Sequence, residues 1–319
     1  MCTALMHRTA GGFLARNLDL QEVYGQQVAV LPRCAPLHFR HQPSLRTHYA
    51  MLGAAVVRDG MPLFFEAVNE KGLCAAALAF EGECVYAPPC QTAGELAPFE
   101  LIPFVLAQCA SVEEARRLLK TVRLTAIPFA AEEPLTPLHW IVADRERSLA
   151  VEPLSDGLHL TEDPVEVMTN SPRMSYQLTH LAEYANLHVE EPRHALSLTP
   201  FHRGFGLKGL PGDFTPTSRF VKAAFLKEAL PQTADVTAGM LDSFRVLDSV
   251  AYLHGTMPKG EAFAVTQYSC VCHLPSGTYY YKTYADPTVR AVSLSRVSLE
   301  GTLCKVYPMT NAFRVTEEN

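Results

Sequence analysis

Residues 73–80 read LCAAALAF, an apolar run of strand length set between the turn sequence NEKG and Glu81-Gly82. A strand that is apolar at both odd and even positions has no face to offer water. It belongs in the interior of a sheet that is covered on both sides. The sequence around it extends the pattern. YAMLGAAVV and LFFEAV precede it as a hairpin joined at Arg58-Asp59-Gly60-Met61-Pro62. Residues 2–9 and 13–18 form another pair around Ala10-Gly11-Gly12, the second strand running into RNLDL. LHWIVADRERSLAVEP places two apolar runs on either side of the polar tetrad Asp144-Arg145-Glu146-Arg147, and EAFAVTQYSCVCHL, TYYYKTYA and RAVSLS return to strands near the end.

Helical patterns fall between these groups. FELIPFVLAQC is one, and SVEEARRLLKTV is a second whose Ser111 and Glu114 have capping-box spacing. Three more are expected at 174–187, 217–230 and 234–250. Hairpin joints, with neither a GxGxxG nor a P-loop, argue against a doubly wound nucleotide-binding fold. Antiparallel sheets with helices on their outer faces fit the order better. No repeat, linker or low-complexity stretch divides the 319 residues, so a single domain over 1–319 is expected, with the Pro-rich stretches 86–103 and 127–137 as surface loops.

Charge and cysteine usage narrow the class of function. Lys and Arg number 27 against 33 Asp and Glu, a net charge of −6 without a basic block, which offers nothing to nucleic acid or an anionic membrane. No apolar run reaches membrane-spanning length, and His7, Arg8 and Arg16 interrupt the first segment where a signal peptide needs an apolar core. A cytoplasmic protein is expected. The nine cysteines include no CxxC pair and no zinc-like spacing, so no metal site is expected and most read as small core residues. Cys270 and Cys272 are expected on one face of a strand, as structural thiols.

Cys2 is different because of its place. Removal of Met1 makes it a residue that carries both a thiol and a free α-amine. An unperturbed thiol titrates near ~8.5 and an α-amine near ~7.7–8.0, so at neutral pH the amine is able to take the thiol proton. If 2–9 and 13–18 pair as a hairpin, the returning strand brings Arg16 and Asp19 beside the chain start. Arg16 then favours a thiolate, and Asp19 is placed to hold an α-ammonium.

Seven segments in order, MCTA at the start, RNLDL at 16–20, NEKGL at 69–73, PLTPLHWIVAD at 134–144, VMTNSP at 167–172, GLPGDFTPTSRF at 209–220 and YYYKTY at 279–284, resemble the choloylglycine hydrolases. That family comprises bile salt hydrolases and penicillin V acylases, among the N-terminal nucleophile hydrolases. The resemblance implies an α+β fold, a four-layer αββα sandwich, and amide hydrolysis without metal or organic cofactor. It makes Cys2 the nucleophile, with Arg16 beside the thiolate and Asp19 orienting the amine. Asn170 becomes a side-chain donor to the oxyanion, and Arg219 completes the polar network. Relatives carry an Asn or a Tyr where this chain reads LAFEG, so Ala79 offers only its backbone N–H to the oxyanion.

The implied substrate is a conjugated bile salt, split into bile acid and glycine or taurine. Leu20, Tyr24, Met61, Phe65, Ile127 and Phe129 are candidates for its apolar pocket. In the loop FHRGFGLKG at 201–209, the pair His202-Arg203 resembles a Ser-Arg pair associated with taurine conjugates, which makes Arg203 a candidate for the terminal anion. Penicillin V acylase or another N-acyl amino acid amidase is the alternative, and an inactive bile-acid-binding homologue is a third reading. Relatives are commonly homotetramers, so a homo-oligomer is expected.

Overall fold

The computed structural model describes residues 1–90, 94–193, 196 and 203–319. The first part of the chain forms β1 (Cys2–His7), β2 (Phe13–Leu20), β3 (Gln27–Leu31), β4 (Met51–Arg58), β5 (Met61–Asn69) and β6 (Cys74–Ala79). These strands divide between two antiparallel sheets. In the first, six strands run in the order Val167–Met168, β1, β2, Val265–His273, Thr278–Thr283, Arg290–Ser293. In the second, eight strands run Gly157–Glu162, Ser148–Leu154, Leu138–Ala143, β6, β5, β4, β3, Lys305–Pro308. The run at 73–80 thus becomes an inner strand of the larger sheet, apolar on both faces because both are covered.

Helices cover the outer faces. α1 (Leu101–Gln108) and α2 (Val112–Leu119) pack on the second sheet, while α3 (Met174–Ala182), α4 (Pro216–Glu228) and α5 (Val236–Ser249) cover the first. The inner faces meet in one apolar cluster to which β1 and β2 give Ala4, Met6 and Leu14, and β4 to β6 give Ala54, Val68, Ala76 and Leu78. The four layers are α, β, β, α, as the resemblance implies. Among the described residues no helix is long and apolar enough to cross a membrane.

Local chemistry accounts for most helix boundaries. Ser111 accepts the N–H of Glu114 at 3.3 Å, and the Glu114 carboxylate turns back to the N–H of Ala110 at 2.7 Å. Thr215 caps α4, which starts at Pro216, and the Asp235 carboxylate caps α5. α3 stops at Ala182 rather than 187, since Glu183 and Tyr184 already close 3₁₀-type bonds onto His180 and Leu181.

Two expectations need correction, and three strands had none. The stretch 86–103 is not a surface loop throughout, because Glu95, Leu96, Ala97 and Glu100 are buried under the second sheet's outer cluster. Arg58, Met61 and Pro62 belong to strands, leaving Asp59-Gly60 as the hairpin turn, where both residues have positive φ. The strands Gln27–Leu31, Gly157–Glu162 and Lys305–Pro308 carry no marked sequence signal, and the last brings the chain back to pair with β3 at the sheet edge.

Two bulges set the stage for the site. In the β4–β5 pair Ala54 faces Glu66 and Ala55 faces Phe64, so Phe65 is an extra residue. The bulge reverses the alternation: Phe64 joins the outer cluster, while Phe65 and Glu66 both point between the sheets. In the pairing of β2 with Val265–His273, Gln267 is the extra residue. Thr266 therefore lies opposite Asp19 on one face and Tyr268 opposite Leu18 on the other.

Candidate active site

Cys2 starts β1, with Ala4 directly opposite Arg16 of β2 and Arg16 opposite Cys270 of the next strand. Opposed residues share a face, so the Cys2, Arg16, Tyr268 and Cys270 side chains all project between the sheets. The expected hairpin delivers its expected contact. Arg16 Nη2 lies 3.3 Å from Cys2 Sγ and 2.8 Å from the Ala77 carbonyl. Its Nη1 pairs with Glu66 Oε2 at 2.5 Å, and both residues are inaccessible to solvent. Burial works against the Arg16 charge, but Cys2, Glu66 and Tyr268 outweigh it and hold the guanidinium well above its ordinary range.

A second set of groups surrounds the Cys2 backbone. Cys2 N donates to Asn170 Oδ1 at 2.9 Å, and the same oxygen accepts Arg219 Nη2 at 2.7 Å. Arg219, carried by the first turn of α4, places Nη1 2.6 Å from the Cys2 carbonyl and 2.7 Å from the Thr3 hydroxyl, and its Nε donates to the Phe214 carbonyl. Its guanidinium carbon sits 5.2 Å from the centre of the Tyr252 ring. Asn170 Nδ2 gives one hydrogen to the Ala79 carbonyl at 2.8 Å. Its other hydrogen is committed to no described residue. The pairing of β5 with β6 ends at Ala76, so the edge of β6 beyond it is open toward Cys2. Ala77 turns its carbonyl to Arg16 there and Ala79 turns its own to Asn170. In an extended strand the N–H and C=O of one residue point to the same edge, which aims the Ala79 N–H the same way.

Asp19 is buried on the opposite face of β2 from Arg16. Its Oδ1 accepts the Thr266 hydroxyl at 2.6 Å, while Oδ2 has no hydrogen-bond partner among the described residues. With Met1 present, the terminal amine donates to the backbone carbonyl of Asp19 at 2.6 Å, so its carboxylate does not hold the amine in this form. Burial pushes the Asp19 carboxyl up, against the pull of Arg219, the Thr266 hydroxyl, the chain terminus and Arg16. Thr266→Val keeps the shape and removes the one hydroxyl on this buried acid. The expected cost is about 1–3 kcal/mol in urea unfolding, and a change of a few tenths would contradict this assignment.

The apolar candidates are half-buried, apart from the exposed Tyr24. Phe65 is tied directly to the site, its ring 5.8 Å from the Arg16 guanidinium carbon. Leu20 ends β2 immediately after Asp19, and Tyr24 lies in the loop that follows. Met61 lies opposite Arg58 across the hairpin end, and Arg58 stands 5.3 Å over the Phe129 ring, with Ile127 two residues earlier. Arg203 is exposed and makes no contact with the groups around Cys2, and His202 lies outside the described residues. Cys270 and Cys272 are buried on one strand face, their thiols pushed well up by desolvation.

Sequence reasoning missed Glu66, Thr266, Tyr268 and Tyr279. The available signal was charge: Glu66 is the lone charge in LFFEAV and Arg16 interrupts the apolar start of its strand, and fully buried charges are rarely left unpaired.

The family model for linear amide C–N hydrolases of the choloylglycine hydrolase family matches residues 2–307. A bile salt hydrolase/transferase of Lactiplantibacillus plantarum is 36% identical over 314 residues, covering 97% of each chain. One from Clostridium perfringens is 33% identical over the whole of both chains. Among solved structures, a conjugated bile acid hydrolase from Clostridium perfringens superposes with a TM-score of 0.92 at 30% identity, covering 100% of both chains. Penicillin V acylase from Agrobacterium tumefaciens, at 22% identity, 96% and 91% coverage and a TM-score of 0.78, shares the fold. With its first strand opening on a buried cysteine beside an arginine, and with matches of this extent, the chain belongs to the choloylglycine hydrolase family.

Proposed function

We propose that this chain, once Met1 is removed, hydrolyses the amide bond of conjugated bile salts, with Cys2 as nucleophile. The observation that carries the reading is the convergence on one residue: Arg16 Nη2 at 3.3 Å from Sγ, and Asn170 Oδ1 at 2.9 Å from the nitrogen that becomes the α-amine. The amine takes the Sγ proton, and the thiolate attacks the substrate carbonyl carbon. The free hydrogen of Asn170 Nδ2 and the Ala79 N–H receive the oxyanion. The α-ammonium then gives its proton to the departing glycine or taurine nitrogen, leaving a thioester on Cys2. Water, deprotonated by the same amine, attacks the thioester and releases the bile acid. Asp19 Oδ2, buried and without a hydrogen-bond partner among the described residues, supports a role in holding the ammonium.

The substrate class rests on the full-length relatives, whose names specify bile salts, and on the half-buried Leu20, Met61, Phe65, Ile127 and Phe129, which suit a steroid wall better than a sealed core. In this reading the chain works as a single cytoplasmic domain in a homotetramer, without metal or cofactor, and Arg203 meets the terminal anion of the conjugate. The test is release of taurine, glycine and the side-chain acid from taurocholate, glycocholate and penicillin V. Both bile salts are expected to be cleaved, taurocholate with kcat/KM at least equal to that of glycocholate, and Arg203→Ala is expected to lower taurocholate cleavage more. Cleavage of penicillin V alone would overturn the substrate class, and an equal, negligible effect of Arg203→Ala on both conjugates would remove that residue.

A further inference from the structure

Glu66 has no place in the chemistry above, yet it is fully buried and bonded to three side chains. Its two oxygens take Arg16 Nη1 at 2.5 Å, the Tyr279 hydroxyl at 2.5 Å, and the Tyr268 hydroxyl at 2.9 and 3.0 Å. Arg16 Nη1 also reaches the Tyr268 oxygen at 3.1 Å. The bulge at Phe65 is what directs this carboxylate between the sheets. A line of contact therefore runs from Sγ through the guanidinium to a carboxylate fixed by two phenols. Arg16 does not need Glu66 alone to stay in place, because the Ala77 carbonyl holds Nη2 as well. The carboxylate adds a compensating charge.

We infer that Glu66 is a positioning residue that holds Arg16 against Cys2 and offsets the guanidinium charge that the Cys2 sulfur faces. This rests on the reading of Cys2 as nucleophile. An unopposed guanidinium stabilises the thiolate too far. Such a thiolate attacks less readily, and it also becomes the better leaving group, so the tetrahedral intermediate expels sulfur rather than the amine. The titratable and charged groups facing Glu66 are Arg16 on β2, Tyr268, Cys270 and Cys272 on Val265–His273, and Tyr279 on Thr278–Thr283, with Cys2 beyond Arg16. Burial first, then neighbouring groups that include Glu66, hold both phenols and both thiols well above their ordinary ranges.

The experiment uses the full chain lacking Met1. The rate of Cys2 alkylation by iodoacetamide is followed against pH by mass spectrometry of the N-terminal peptide, and kcat and KM are measured for glycocholate. In Glu66→Gln, which keeps an oxygen for the phenols and Arg16, the midpoint of alkylation is expected to fall by about one pH unit. In the same variant kcat drops at least about tenfold with KM within twofold. Tyr279→Phe, a milder change that guards against a misfolded Gln variant, is expected to lower kcat about threefold at constant KM. A midpoint in Glu66→Gln that stays or rises, or a Tyr279→Phe enzyme indistinguishable from wild type, would overturn the inference. A wild type that cleaves no conjugate overturns the functional reading instead, and the alkylation result stands apart from it.

Discussion

Cys2→Ala is expected to reduce cleavage of taurocholate and glycocholate by about 10⁶, to the limit of detection, while the protein stays folded. The size follows from the absence of any substitute. Of the nine cysteines, Cys270 and Cys272 lie nearest in the sheet, but both are buried with their thiols pushed well up, and neither carries an α-amine. Folding survives because the exchange deletes one atom and leaves Arg16 bonded to Glu66 and the Ala77 carbonyl. Cys270→Ala and Cys272→Ala reverse the pattern, with a stability loss of about 1–3 kcal/mol from the core and smaller effects on rate. Near-wild-type turnover in Cys2→Ala would end the account.

Arg16→Met is the second large effect, and it acts on folding as well as rate. The substitution fills similar space but strands the Glu66 carboxylate in a layer that water does not reach. Breaking one side of such a pair costs about 3–5 kcal/mol. The phenols of Tyr268 and Tyr279 still bond the carboxylate, which favours the lower end of that range. The double variant Arg16→Met/Glu66→Gln removes both charges and is expected to recover most of the stability and none of the activity. Urea midpoints and kcat for the two singles and the double separate these contributions. Equal stability for Arg16→Met and the double variant would show that the buried pair does not carry the energy assigned to it.

Much of this architecture was legible because its strands are patterned strongly and joined closely. The double-faced run at 73–80, the hairpin around Asp144-Arg145-Glu146-Arg147 and the cap at Ser111 each rest on local chemistry that the fold does not override. Arg16 was findable from the hairpin it shares with Cys2, and Asn170 and Arg219 only from resemblance, since each comes to Cys2 from more than 160 residues away. The two bulges were not legible. Each adds a single residue and reverses a face, so a strict alternation rule places Phe65 and Thr266 wrongly and hides Glu66 as a partner of Arg16. The strands Gln27–Leu31, Gly157–Glu162 and Lys305–Pro308 were missed because four to six residues beside a proline or an exposed turn carry little pattern.

In the proposed mechanism a single residue, Cys2, supplies both the nucleophile and its base, a pairing open to direct observation. It is tested most directly by mixing enzyme with excess glycocholate, quenching in acid within milliseconds to seconds, and recording intact mass for a preparation that contains chains with and without Met1. Chains beginning at Cys2 are expected to gain the mass of the bile acyl group, this mass mapping to the N-terminal peptide and decaying on the timescale of turnover, while chains retaining Met1 stay unmodified. Acylation of the Met1-containing chain at the same rate, or an acyl group found on any other residue, would contradict it.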